Sequence, residues 1–85
     1  MTADVLKTYQ KSEPFKPFRI LLTDGKTYDV PHPNFVWVRT ATVYVGTHGD
    51  VERGLWDRFD VVELNRIEEV AVISSATRAD GTSGK

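Results

Sequence analysis

The chain has 85 residues, a length that permits one domain with one modest hydrophobic core. Hydrophobic residues make up 40% and charged residues 27% of the chain, which is typical of a globular protein and excludes a fully disordered one. The formal net charge of −1 counts against a dedicated nucleic-acid binder, because such proteins are usually basic. The chain has no cysteine, which excludes disulfides, thiolate zinc sites and cysteine nucleophiles.

The N-terminal residues lack the basic flank and the unbroken apolar core of a signal peptide. No apolar run approaches the ~20 residues that a membrane helix needs. We therefore expect a cytoplasmic protein that does not enter the membrane.

The first element predicted along the chain is a short helix over Thr2–Lys11. Thr2 is a good N-cap, and Val5, Leu6 and Tyr9 recur on one side of the helix. Two prolines at positions 14 and 17 end it. We expect Phe15 or Phe18 to anchor the helix to the strands that follow.

The clearest pattern in the chain is a β-hairpin over Phe18–Val30. Residues 18, 20 and 22 are apolar and alternate along the first strand, and Tyr28 and Val30 share one face of the second. Asp24-Gly25 between them is typical of a two-residue hairpin turn, since both residues tolerate positive φ angles. The pattern predicts that Leu22 and Val30 are buried.

Four further strands, and the turns and loops that connect them, are predicted downstream of the hairpin. Prolines at 31 and 33 indicate a turn or an edge bulge. Strands follow at 35–39, 42–45, 55–64 and 67–73, with a flexible loop at 46–54, which holds three glycines, and a one-turn connection at 65–66. Val43, Val70 and Val72 are expected to face the core.

The composition of the chain indicates a single domain over residues 1–74 and a disordered tail over residues 75–85, which are rich in Ser, Thr and Gly. A short helix followed by five or six short strands predicts a mainly β fold. We expect a small antiparallel barrel, because closure removes exposed strand edges.

This order of elements resembles the Sm-like (SH3-like) barrels, including bacterial Hfq. The matching segments are Val5-Leu6, Phe18–Gly25 and Val61–Val70. The resemblance implies an N-terminal helix, strongly bent strands, a one-turn helix before the last strand, and RNA binding. The RNA-binding Tyr-Lys-His of Hfq falls on Glu63-Leu64-Asn65, which provide neither the aromatic ring nor the cations.

A second resemblance is to short bacterial proteins of no established activity that carry the pattern PFxxxLxDG–xxxVxHPxF. The pattern is represented here by Pro17-Phe18, Leu22, Asp24-Gly25, Val30, His32-Pro33 and Phe35. It implies a shared fold and a bacterial origin.

No residue pattern in the chain predicts catalysis, and we expect no enzyme, no cofactor and no dedicated metal site. A Ser-His-Asp order, a glycine-rich phosphate loop and metal-ligand spacing are all absent from the sequence. Of the two histidines, His32 is expected to cap a turn between its prolines. Asp50 and Glu52 near His48 leave a weak surface metal site open as an alternative.

The aromatic residues between positions 37 and 59 have two interpretations. The simpler is that alternate members fill the barrel while the arginines are solvated. Alternatively, Trp37, Tyr44, Trp56 and Phe59 form an exposed surface for bases or for a subunit interface, with Arg39, Arg53, Arg58 and Arg66 as phosphate contacts. The candidate contact residues are Trp37, Arg39, Tyr44, Trp56, Arg58 and Arg66.

The function predicted from the sequence is that of a non-catalytic interaction or assembly module, and the alternative is an Sm-like RNA-binding protein. We expect a homo-oligomer, because Phe35 and Trp37 alternate with Val36 and Val38 and leave both faces of the third strand apolar. Pairing of strand edges between protomers would cover the outer row. A different protein is the other partner considered.

Overall fold

The computed structural model describes residues 1–73, which contain one helix and six strands. They are α1 (Ala3–Gln10), β1 (Phe18–Leu22), β2 (Thr27–Val30), β3 (Val36–Val38), β4 (Thr42–Asp50), β5 (Leu55–Glu63) and β6 (Ile67–Val72). The prediction of a mainly β fold with a short N-terminal helix is confirmed. Residues 75–85, predicted to be a disordered tail, lie outside the described part of the chain. No helix within residues 1–73 has the length and apolar character needed to cross a bilayer.

The strands form two antiparallel sheets of three strands each. The first sheet has the order β2-β1-β6 and the second has the order β3-β4-β5. The chain passes from the first sheet to the second through a 3-10 turn at Pro33–Phe35 and returns through another at Leu64–Arg66. Within residues 1–73 no strand pairing joins the two sheets into a closed barrel, so barrel closure is not confirmed.

The inner faces of the two sheets enclose one hydrophobic core. Ile20 of β1 and Val43 and Val45 of β4 are fully buried, and no polar or charged residue among residues 1–73 is buried with them. The core residues are Leu6, Phe18, Ile20, Leu22, Val30, Phe35, Val36, Val38, Val43, Val45, Val62, Leu64, Ile67 and Val70. The predicted burial of Leu22, Val30 and Val43 is confirmed, because apolar residues at alternate strand positions share one face.

The hairpin between β1 and β2 closes with a longer loop than the two-residue turn that we predicted. Gly25 N–H donates to Leu22 C=O at 3.0 Å, and Leu22 N–H donates to Lys26 C=O at 2.8 Å. Gly25 has φ +91°, and no non-glycine residue in residues 1–73 has a positive φ. A two-residue type I′ turn would also need a positive φ at Asp24, so the loop has three residues, with Gly25 in the left-handed position.

Helix α1 packs across one end of the core and along the edge of β3. Thr2 caps it, with its Oγ1 accepting from Val5 N–H at 3.3 Å. Leu6 is fully buried, and the Tyr9 ring lies 5.5 Å from the ring of Phe18, which anchors the helix as expected. Val5 is 44% exposed, so the apolar stripe is narrower than predicted, since a helix on a small core buries few positions.

Two side chains tie α1 to the strands by polar contacts. Gln10 Nε2 donates to the carbonyls of Pro33 and Val36, both at 3.0 Å. Tyr9 Oη donates to the carbonyl of Val70 at 3.3 Å. Because Val36 belongs to β3, the helix occupies the outer edge of that strand and satisfies one of its free carbonyls.

Two predictions in the second half of the chain are wrong. The first half of the predicted loop, residues 46–50, continues β4 and pairs with β5 through two register shifts. The actual connection is the short turn over residues 51–54. Val72 is 47% exposed although it lies opposite the buried Phe18, because it is the last residue of β6 and lies at the end of the sheet.

Candidate functional site

The outer face of the second sheet carries large apolar side chains, and we call it the aromatic face. It consists of Trp37 on β3, Tyr44 on β4, and Trp56, Phe59 and Val61 on β5. Tyr44 pairs directly with Trp37 on one side and with Val61 on the other. Directly paired residues of an antiparallel sheet point to the same face, so these three side chains form one row across the sheet.

The rings of the aromatic face contact one another in a continuous chain. The centroids of Trp37 and Tyr44 are 5.5 Å apart, those of Tyr44 and Phe59 are 5.4 Å apart and nearly parallel, and those of Phe59 and Trp56 are 5.0 Å apart. These separations are within the favourable range for aromatic pairs. Each ring therefore packs against its neighbour and restricts the orientations open to it.

The aromatic face is exposed to a degree that is unusual for residues of this size. Trp37 is 53% exposed, Phe59 45% and Val61 54%, whereas Tyr44 and Trp56 are half-buried. None of the four rings belongs to the core. The simpler interpretation of the sequence, in which alternate aromatics fill a barrel, is therefore wrong for Trp37, Tyr44 and Phe59, whereas the half-buried Trp56 packs against the core.

Trp56 is held over the end of the second sheet by close packing and one hydrogen bond. Its Nε1–H donates to the carbonyl of Asn34 at 2.9 Å. A Cβ atom on Gly46 would lie 2.8 Å from Trp56 Cβ and 2.9 Å from a ring carbon of Phe35. Gly46 is thus required for close packing between β4 and the Trp56 indole, which explains a glycine inside a strand.

Charged side chains flank the aromatic face at its β3 and β5 margins. Arg39 follows β3 and its guanidinium lies 5.0 Å from the Trp37 ring centroid, a cation–π contact. Lys7 of α1 lines the same surface depression as Trp37 and Arg39. On the far margin Glu63 ends β5 and pairs with Thr42, one row beyond Tyr44 and Val61. In the row of Arg39, Thr42 and Glu63, the β3 margin is therefore basic and the β5 margin is acidic.

The structure places the six predicted contact residues in two groups. Trp37, Arg39, Tyr44 and Trp56 lie on or beside the aromatic face. Arg58 pairs with His48 on the part of the β4–β5 ribbon that extends past the core, and is exposed there. Arg66 lies in the 3-10 turn that follows β5, where Nη2 is 3.4 Å from a carboxylate oxygen of Asp24. The three arginines therefore lie at different places, Arg39 over the Trp37 ring, Arg58 beside Phe59 and Arg66 beside Val61.

Arg66 belongs to a polar cleft of about 270 Å³ where the two sheets meet, and Val61 of the aromatic face also lines this cleft. Tyr28 of β2 donates its Oη–H to a carboxylate oxygen of Asp60 on β5 at 2.7 Å, which links the first sheet to the second. Partial burial, and then the hydrogen bond and the negative charge of Asp60, raise the pKa of Tyr28 to about 12. At neutral pH this phenol stays protonated, which suits a structural link and not a general base.

The two histidines have local contacts. His32 Nδ1 accepts from Asn34 N–H at 3.0 Å and so caps the 3-10 turn, as predicted. His48 Nδ1 lies 3.0 Å from Thr47 Oγ1. Within residues 1–73 no group of three or more His, Asp or Glu side chains is arranged to hold a metal ion. The alternative of a weak metal site at His48, Asp50 and Glu52 therefore gains no support.

Sequence reasoning omitted Val61 from the candidate contact residues, and the structure places it on the outer face of β5. The run Val61-Val62 did not show which valine faces inward. The signal lay in the register, since Val62 pairs with the buried Val43 and Val61 therefore faces out.

The chain was compared with protein-family models, with curated protein sequences and with solved structures, and no match was found in any of the three comparisons.

Proposed function

We propose that this protein is a non-catalytic interaction module that assembles into a homo-oligomer through the aromatic face. The observation that carries the proposal is the row of Trp37, Tyr44 and Val61, continued by Phe59, on the outer side of a sheet whose inner side already covers the core. Large contiguous apolar surfaces are rare on monomers and mark contact sites. Trp, Tyr and Arg are also the residues enriched at the centres of protein interfaces.

The proposed setting is the bacterial cytoplasm, and the proposed architecture is a small Sm-like barrel. Two features support the barrel. The chain changes sheet at the turn Pro33–Phe35 and returns at Leu64–Arg66, and residues of both sheets belong to one core. The hydrogen bond between Tyr28 and Asp60 spans the junction of β2 with β5, where a closing barrel brings strands together.

Light scattering over a range of micromolar concentrations tests the proposed assembly. The wild type is expected to exceed the monomer mass of 9.6 kDa, and Val61→Glu is expected to return it to the monomer, because a charge would be buried in an apolar contact. Val72→Glu is the matched control, since Val72 is a similarly exposed valine on the first sheet.

The outcomes of this experiment separate the surfaces. Dissociation by Val61→Glu alone supports the aromatic face. Dissociation by Val72→Glu alone moves the interface to the β6 end and contradicts the proposal. A wild type that remains monomeric on concentration contradicts homo-oligomer assembly altogether.

RNA binding is the second candidate function, and the observation in its favour is the exposed ring of Trp37 beside the Arg39 cation. The carboxylate of Glu63 beside the face and the ion pair that engages Arg66 with Asp24 count against it. A filter-binding titration with short single-stranded RNA at several salt concentrations decides between the two. Tight binding that weakens steeply with salt favours RNA, because phosphate contacts release counterions.

A further inference from the structure

The charge pattern of the aromatic face and the composition of the rest of the chain restrict which partner can cover this face. Residues 74–85 contain no apolar side chain larger than alanine, so this segment has nothing with which to cover the rings of Trp37 and Phe59. The edges of the second sheet are also poor partners. Gln10 occupies a carbonyl of β3, and β5 carries Asp57, Arg58 and Asp60, charges that discourage edge pairing.

The face itself has the charge pattern of a self-complementary surface. In one row Arg39, Thr42 and Glu63 lie side by side, because Arg39 N–H donates to Thr42 C=O at 2.8 Å and Thr42 pairs with Glu63. In the next row Trp37, Tyr44 and Val61 lie side by side. From the β3 margin to the β5 margin, the first row therefore begins with a cation and ends with an anion. The second row begins with a large ring and ends with a small aliphatic side chain.

A two-fold axis that runs parallel to β4 between two copies exchanges the β3 and β5 margins within each row. Arg39 of one copy then faces the partner's Glu63, and the same pair forms a second time by symmetry. In the neighbouring row Trp37 faces the partner's Val61 and Tyr44 faces the partner's Tyr44. Large side chains meet small ones at the margins, and both charges find opposite charges.

Resting on the proposed function, we infer that the partner is a second copy of this chain, packed face to face about a two-fold axis parallel to β4, with Arg39 paired to the partner's Glu63. This arrangement differs from the strand-edge pairing expected from the sequence. It buries the aromatic faces of both copies against each other and leaves the strand edges free. The charge pairs set the orientation of the two copies, because like charges brought together cost affinity.

Charge reversal tests the arrangement in the full-length chain by sedimentation velocity. Arg39→Glu alone places two carboxylates opposite each other at both symmetric positions, and Glu63→Arg alone places two cations there. Each single variant is expected to weaken self-association by about tenfold or more. An equimolar mixture of the two variants is expected to associate again, since every charge then faces its opposite.

The control is Arg19→Glu, the same charge change on the outer face of the first sheet, and it is expected to leave association unchanged. Circular dichroism of each variant establishes that it folds, and recovery of association in the mixture excludes misfolding as the cause of dissociation. The double variant Arg39→Glu/Glu63→Arg is expected to self-associate as the wild type does.

The failures of this inference and of the proposed function give different results. If Val61→Glu dissociates the assembly while the charge variants associate normally, the aromatic face is the interface and the two-fold arrangement is wrong. If the single variants dissociate and their mixture stays monomeric, the pairing of Arg39 with the partner's Glu63 is wrong. If the wild type is a monomer at all concentrations, the second copy is not the occupant, and the proposed function fails with it.

Discussion

The two sheets present similar inner faces and very different outer faces. On the first sheet, Arg19 and Asp29 are directly paired and form a two-contact ion pair at 2.7 and 3.1 Å, with both side chains about half exposed. On the second sheet, the equivalent outer positions hold Trp37, Tyr44 and Val61. The inner faces determine the fold, and the difference between the outer faces identifies the surface available for function.

The two outer faces also differ in the free energy that burial against a partner would add. An exposed ion pair has already made its contact, and water screens it. An exposed aromatic row still has apolar area to bury. Each large ring can bury about 150–250 Å², and apolar burial is worth about 25 cal/mol per Å². The second sheet therefore has stabilisation to gain from a partner that the first sheet lacks.

The largest expected effect is a truncation on the inner face that both sheets share. Leu22 is 4% exposed and its neighbour Leu21 is only half-buried on the outer face of the same strand. Leu22→Ala is expected to lower the free energy of unfolding by about 2–5 kcal/mol, because it removes transfer energy and leaves a cavity. Chemical denaturation with a tryptophan fluorescence readout measures it.

Leu21→Ala is the matched control for Leu22→Ala. The two variants change the same side chain one residue apart, so their difference isolates the contribution of the core face. Equal destabilisation by both variants would show that β1 is not oriented as described.

Much of this fold follows from local sequence patterns. Thr2 before an apolar helix predicted the cap, Gly25 in the turn predicted a positive φ, and alternation predicted the burial of Leu22, Val30 and Val43. Each of these features depends on residues within a few positions of one another, and such patterns are readable without the tertiary structure.

The continuation of β4 through Gly46–Asp50 depended on distant residues and was missed. Glycine usually indicates a flexible connection. Here Gly46 leaves room for Trp56, a residue ten positions later, and the ribbon pairs beyond the core. The pattern of glycines resembles that of a loop. Only the packing of Gly46 against Trp56 distinguishes this strand from a loop.

The sequence predicted which types of residue form the candidate site, but it did not predict the full set of residues. Trp37, Tyr44 and Trp56 were identified from their chemistry, whereas Val61 required the pairing register of β4 with β5. Arg58 and Arg66 were included because they are cations. Where they lie relative to the rings depends on strand pairing and on the turn at Leu64–Arg66, which composition does not encode.

The second expected effect is a backbone effect at the tip of the first sheet. Gly25 has φ +91° and a Cβ there would meet no atom within 4 Å. Gly25→Val is therefore expected to cost about 1–2 kcal/mol from backbone strain alone, since a left-handed conformation is unfavourable for a side chain. Thermal unfolding monitored by circular dichroism measures it.

Gly25→Asn is the control for the Gly25→Val variant, because asparagine tolerates the left-handed region better than valine. It is expected to destabilise the protein less. A Gly25→Val protein that melts like the wild type would contradict the three-residue turn.

The third prediction concerns the contact between the two sheets at high pH. The pKa of Tyr28 is raised from 10.0 to about 12 in the folded protein, chiefly by partial burial and then by Asp60. A raised pKa means that the folded state retains the proton longer than the unfolded state. The stabilisation is complete below pH 10.0 and is lost as the pH rises to about 12.

Ultraviolet absorbance of tyrosinate follows this titration among the three tyrosines of the chain. Tyr28→Phe is expected to remove the component with the highest pKa, and Asp60→Asn is expected to lower the pKa of Tyr28, because the negative charge is gone. If the wild-type and Asp60→Asn curves coincide, the link between β2 and β5 is absent in solution.

The smallest expected effect is at the ion pair on the outer face of the first sheet. The carboxylate of Asp29 raises the pKa of Arg19 through a hydrogen bond and its charge, but both side chains are about half exposed, so solvent screens the pair. A double-mutant cycle with Arg19→Gln and Asp29→Asn is expected to give a slight coupling that vanishes in high salt.

A pairing of Arg39 with the partner's Glu63 would lie between two apolar faces and would be screened much less, so its coupling in the association equilibrium should persist at the same salt concentration. Equal salt sensitivity of the two couplings would place Arg39 on a solvated surface and remove the distinction between the two outer faces.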